Sequence, residues 1–167
     1  AYEWDFCQIQ YNYINVNYQA GKAGLKQAAA KGLPVFVMEP LLGGKLVDGL
    51  PQAAEDVFKT ADPEITPAEW ALRWIWYQPE VTMVLSGMND QEQIKENVIS
   101  AERSLTGSMN EQDRDAVEDV IRIFNESYKI PCTGCNYCMP CPKDINIPAC
   151  FAAYNTSYAM GWYPGIY

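Results

Sequence analysis

Histidine is missing from all 167 residues, so imidazole cannot serve as acid, base or metal ligand. No uninterrupted apolar run approaches the roughly 20 residues needed to span a bilayer. Basic residues are few, with 12 Lys and Arg against 21 Asp and Glu, a formal charge of −9. That balance argues against nucleic acid and against anionic membranes, both of which favour basic patches. No G-x-G-x-x-G follows any strand-like segment, and nothing resembles a secretory signal. What is present suffices for a core: the hydrophobic fraction is 49%. The length suits one domain, or one domain with an appendage.

The most specific feature is a cysteine run near the C-terminus: Cys132, Cys135, Cys138 and Cys141, followed by Pro142. A cubane iron–sulfur cluster needs four thiolates converging from a short, turning segment. The C-x₂-C-x₂-C arc supplies three, and Cys-Pro is the bacterial ferredoxin ending. Here the last gap holds two residues, Met139 and Pro140, where the usual pattern has three. The spacing predicts a 4Fe-4S cluster, with structural zinc and redox-active thiols as the other readings. Disulfides between such close neighbours would be strained. Cys141 is the natural fourth ligand, with Cys150 as a rival, because the Cys before Pro serves a second cluster in two-cluster ferredoxins. Cys7, on the apolar side of a strand, reads as a small buried hydrophobe. Six cysteines with an expected metal site make a reducing cytoplasm the expected compartment.

Along the chain, residues 5–11 alternate in period 2, with Cys7, Ile9 and Tyr11 on one side and Phe6, Gln8 and Gln10 on the other. Residues 25–31 are Ala-rich and helix-forming, stopped by Gly32 and Pro34. Residues 34–38 read as a short buried strand of the parallel kind. A polar, glycine-bearing stretch follows, from Gly43 to Pro63. Thr66, Pro67 and Glu69 then announce a helix, as N-cap, first-turn proline and capping-box carboxylate. Residues 81–85 predict a third strand. Residues 90–104 and 110–128 predict amphipathic helices, with stripes of Ile94, Val98 and Ala101, and of Val117, Val120, Ile121 and Phe124. Strands alternating with helices imply a parallel sheet with right-handed crossovers. The pattern fits an α/β fold, part of a (β/α)₈ TIM barrel whose sites lie at the C-terminal strand ends. A doubly wound sheet competes, weakened by the missing glycine fingerprint. The chain opens at Ala1 in a strand-like run and stops at Tyr167 in an aromatic-rich one, so both ends read as cut and the chain as a piece of a longer protein.

Five segments in register carry a resemblance: residues 7–12, 38–46, 66–74, 85–88 and 94–98. Together they resemble the last three βα units of an aldo/keto reductase. The segment 132–147 is similar to the iron–sulfur tail of one bacterial and archaeal branch of that family. The resemblance implies residues 1–128 as the C-terminal part of the barrel and 129–167 as a small helical iron–sulfur segment. It also implies an oxidoreductase using NAD(P), in which a tyrosine donates a proton while hydride reaches a carbonyl carbon. The supporting Asp, Lys and His come from the first half of the barrel in that family. No catalytic residue is therefore assigned to this chain.

What the matching positions imply is cofactor contact. Gln8 falls where a glutamine amide meets the nicotinamide carboxamide, a task needing both donor and acceptor; a satisfied interior polar residue is the plainer alternative. Met38 stands where many members stack an aromatic ring, or else simply packs. Pro40, Leu41 and Gly43 match the loop beside the pyrophosphate. Gly87, Met88 and Gln93 match the segment around the adenosine phosphate. Glu96 and Asn97 match the adenine-contacting pair, or a plain helix surface. Members that prefer NADP place Lys, Ser and Arg near this phosphate. Here that basic clamp is depleted, leaving NAD, weak binding or a flavin-linked role open. The cluster would relay electrons to an outside redox partner or staple a small segment. A non-catalytic electron-transfer or binding module is the alternative function. Expected partners are the missing N-terminal half of the barrel, a redox protein, or a second copy through exposed sheet edges.

Overall fold

Alternation along residues 7–10 and 35–38 gives each short strand one face able to enter a core. In the computed structural model, which describes residues 3–130, 132 and 136–159, those strands pair in parallel. β1 (Cys7–Gln10), β2 (Val35–Met38) and β3 (Met83–Val84) form one sheet in the order β1-β2-β3. The register sets Cys7 against Val35, Ile9 against Val37, and Val37 against Val84. These residues pack against Leu25 of α1 (Gly21–Ala30) and Ile75 of α3 (Pro67–Trp76). Leu25, Val35, Val37 and Ile75 are fully enclosed, and burial of each such side chain contributes about 1.5–3 kcal/mol.

The opposite face carries Phe6, Gln8, Phe36, Met83 and Leu85, and Phe6, Met83 and Leu85 are exposed. Phe6 and Phe36 stack there at 4.7 Å. Strand neighbours following chain order, with helical cover on one face among the described residues, suit consecutive βα units of a barrel. A doubly wound sheet reverses its order and carries helices on both faces.

A second core lies beyond α3. α2 (Gln52–Ala61) packs on α5 (Glu111–Ser127), and Phe58 stacks on Trp70 at 5.0 Å with rings 7° apart. α2 falls in the stretch read from the sequence only as polar and glycine-bearing, with no helix expected there. Its Ala54 and Phe58, four residues apart, enter the core while Glu55 and Asp56 point away from it. α5 follows its expected stripe: Val117, Val120 and Phe124 are buried. Asn110 and Asp113 close a capping box on α5, and Asp113 also pairs with Arg73 of α3 at 3.3 Å. α3 is capped as the sequence predicts, Thr66 Oγ1 accepting from the Glu69 N–H at 3.2 Å.

α4 (Gln91–Arg103) corrects its expectation. Its buried positions are Asn97 and Ser100, and the apolar Ile94 and Val98 face out, 44% and 49% exposed. The stripe is real, but the polar side of this helix meets α3. α1 also begins four residues earlier than expected, at Gly21, whose positive φ of 53° turns the chain into the helix. α6 (Ile147–Ala159) ends the described chain and packs on α5. Among the described residues no helix is long and apolar enough to cross a membrane.

Candidate functional site

The loops leaving β2 and β3 and the start of α4 enclose a cavity of about 400 Å³ at the C-terminal ends of the strands. After β2 the chain turns sharply: Glu39, Leu42, Gly43 and Gly44 all have positive φ. Left-handed backbone is strained for Glu39 and Leu42, and glycine removes that strain at the next two positions. Asn12, fully buried at the end of β1, holds this turn in place. Its amide donates to the Glu39 carbonyl at 3.0 Å and its Oδ1 accepts from the Ile14 and Asn15 N–H groups. The spacing of the first strand gave no signal for that role, because the partner lies 27 residues away.

The facing wall comes from the loop after β3 and from α4. Asn97 donates to Ser86 Oγ at 3.1 Å and to Met88 Sδ at 3.3 Å, fixing that loop on the helix. Glu96 accepts a hydrogen bond from Thr66, the cap of α3, so α3 and α4 share one joint beside the cavity. Asp90 caps α4, its Oδ1 taking the N–H groups of Glu92 and Gln93 at 2.9 Å. The helix start therefore already carries a carboxylate at its positive end.

Folding thus brings together Pro40, Leu41, Gly43, Gly87, Met88, Gln93, Glu96 and Asn97 around one cavity. Gln8 and Met38 do not line it. They lie side by side on the open face of the sheet, where the Gln8 amide donates to Met38 Sδ at 3.0 Å. Sequence reasoning missed Glu39, Asp48 and Ser86, which also line the cavity. Their signal was present in the loops, but a loop residue reaches a site only through its turn. The lining includes carboxylates from Glu39, Asp48 and Glu96 and, among the described residues, neither Lys nor Arg. Glycine backbone, amide groups and carboxylates can accept hydroxyl and amine donors and approach a flat ring closely.

The cysteine segment lies apart from this cavity in the sequence. Cys132 and Cys141 are half-buried, Cys138 and Cys150 are exposed, and Cys135 falls outside the described residues. Their thiols are the donor type an iron–sulfur cluster takes. Among the described residues, no three His, Cys, Asp or Glu side chains are gathered to hold a metal ion. The segment is nonetheless anchored. Asn155 of α6, 2% exposed, accepts from the Ile130 N–H at 2.9 Å and donates to the Ile130 carbonyl at 2.7 Å, two residues before Cys132.

The comparisons with known proteins bear on the barrel part. Two structures of the aldo-keto reductase AKR11C1 from Bacillus halodurans are similar at 18% identity. The apo form has a TM-score of 0.52, with 68% of this chain and 42% of that chain covered. The holo form has a TM-score of 0.49, with 68% and 41% covered. At that identity the apo likeness speaks for the fold alone, a TIM-barrel-like one. This chain spans about two fifths of that protein's length. No curated protein matches. The model of the aldo/keto reductase family matches residues 1–118, which hold both loops of the cavity and every strand of the sheet. The chain belongs to the aldo/keto reductase family.

Proposed function

We propose that the cavity takes the adenosine end of a nicotinamide dinucleotide, within an oxidoreductase of which this chain forms part. The observation that carries the reading is the meeting of two distant loops. Pro40, Leu41 and Gly43 in one loop and Gly87, Met88, Gln93, Glu96 and Asn97 in another each match cofactor-contacting positions through the resemblance, and all line one cavity. In this reading Asn97 holds the wall, the Gly43 turn lets backbone approach the diphosphate, and Gln8 and Met38 await the nicotinamide on the open sheet face. Hydride transfer belongs to the complete barrel, whose remaining strands would cover that face. The protein as it exists can be titrated with ADP-ribose by calorimetry. Asn97→Leu, which removes the bonds to Ser86 and Met88, should weaken binding by about tenfold, near 1.4 kcal/mol. No binding of ADP-ribose or NADH at millimolar concentration would sink the reading.

The thiol-only donor set supports a second part of the proposal: Cys132, Cys135, Cys138 and Cys141 hold a 4Fe-4S cluster. When bound, such a cluster accepts and returns single electrons. Anaerobically prepared protein should be brown, with broad absorbance near roughly 400 nm. Cys141→Ser should lose iron and Cys150→Ser should not. A colourless protein holding stoichiometric zinc would contradict the assignment. A non-catalytic electron-transfer module is favoured only if the cluster forms while no nucleotide binds.

A further inference from the structure

The turn that follows β2 is not one that its own residues favour. Glu39 and Leu42 sit at φ 56° and 52°, where a side chain is strained. The first strand supplies a hold from outside the turn. The Tyr11 N–H donates to the Met38 carbonyl at 3.2 Å, and the next residue, Asn12, donates through its side-chain amide to the Glu39 carbonyl at 3.0 Å. The Asn12 amide cannot reverse without placing donor against donor. Its Oδ1 takes the Ile14 and Asn15 N–H groups at 3.1 and 2.9 Å, so its Nδ2 is left for Glu39, and the residue is fully buried.

A turn held in this way keeps some donors unspent. The Glu39 carbonyl also accepts the Leu42 N–H at 3.2 Å, and the Leu41 carbonyl accepts from the Gly44 and Leu46 N–H groups. The Leu41 and Gly43 N–H groups meet no acceptor among the described residues, and both residues line the cavity. Backbone N–H groups in such a turn form a concavity suited to an anion. With no Lys or Arg among the described lining residues, that task falls to backbone donors. Neutral donors act only when well aimed, since a hydrogen bond weakens steeply as its angle closes.

We propose that Asn12 is a positioning residue for the diphosphate: by fixing the Glu39 carbonyl it sets how the turn presents the Leu41 and Gly43 N–H groups. The inference rests on the nucleotide reading of the cavity. Asn12 is not among the residues that line the cavity, so it acts through the turn and not by contact with the ligand.

The test is calorimetric titration of the full chain with ADP-ribose, which carries the diphosphate, and with adenosine, which does not. Asn12→Asp keeps an acceptor for the Ile14 and Asn15 N–H groups but loses the donor to Glu39. It should weaken ADP-ribose binding at least about tenfold and change adenosine binding by less than about twofold. Asn12→Ser, which also lacks the amide nitrogen, should show the same split and guards against misfolding of the first variant. In the unmutated chain, ADP-ribose but not adenosine should slow hydrogen–deuterium exchange of the Leu41 and Gly43 amides. Equal weakening of both ligands, or of neither, would overturn the positioning role while leaving the nucleotide site intact. Unprotected Leu41 and Gly43 amides in the ADP-ribose complex would overturn it too. Failure of both ligands to bind the unmutated chain would overturn the nucleotide reading itself.

Discussion

Two tyrosines following β1 end in buried hydroxyls, and they differ in how those hydroxyls are met. Tyr11 Oη donates to Gln78 Oε1 at 3.1 Å, while Tyr13 Oη finds no partner among the described residues. Burial raises both phenols, Tyr11 to about 12 and Tyr13 further in the same direction. The unfolded value lies near 10. Above it the unfolded chain sheds protons that the folded chain keeps, so stability is fully present below pH about 10 and falls as pH climbs toward about 12 and beyond. Urea midpoints should therefore drop across that window. Tyr13→Phe should flatten the drop by up to about 1.4 kcal/mol per pH unit and hold or raise stability at pH 7, because it removes a buried hydroxyl without an acceptor. An unchanged alkaline slope would contradict this. Asn155 presents the opposite case, a buried amide with both ends used. Asn155→Leu should cost about 1–3 kcal/mol and speed exchange of the Ile130 amide hydrogen, read by hydrogen–deuterium exchange.

At the scale of elements, helix starts do much of the positioning. Thr66 both caps α3 and binds Glu96 of α4, so Thr66→Ala should destabilise by about 1 kcal/mol or slightly more in urea unfolding, with Thr66→Ser largely restoring it. Gly21 allows no such exchange. At φ 53° an added Cβ would lie 2.7 Å from the Val16 carbonyl oxygen, a backbone atom that also accepts the Lys22 N–H. Gly21→Ala should cost about 1–3 kcal/mol by the same measurement. Element by element, the sequence was readable where a local rule governed. The cap at Thr66, the stripe of α5 and the alternation of β1 are each set by neighbours within a turn or two. α2 was not readable, because Ala54 and Phe58 become core positions only when α5 and Trp70 arrive from elsewhere. The side that α4 buries was misread for the same reason. Its amphipathicity is local, but the helix that covers it is not.

For the whole molecule, the open sheet face is the dominant feature. β1 and β3 each keep one unpaired edge among the described residues, and Phe6, Met83 and Leu85 lie exposed beside them. Unpaired parallel edges and a bare apolar face favour association. Sedimentation velocity of the purified chain should show concentration-dependent self-association, relieved when Phe6 and Leu85 are replaced by polar residues. A monomer at every concentration would refute this. The same face holds Gln8 and Met38, so association would shield the positions proposed for the nicotinamide.

The sequence by itself determined the family, the alternation of strands and helices, and the loop residues proposed for nucleotide contact. Those properties reside in residue type and in spacing along the chain. Tertiary structure decided that residues 40–43 and 87–97 share one cavity, that Asn12 holds the turn and that Glu39 and Asp48 join the wall. Parallel pairing of β2 with β3 brings the two loops together across a gap in sequence that no local pattern spans. The absence of basic residues, first a statement about the whole chain, thereby becomes a statement about the charge of one site.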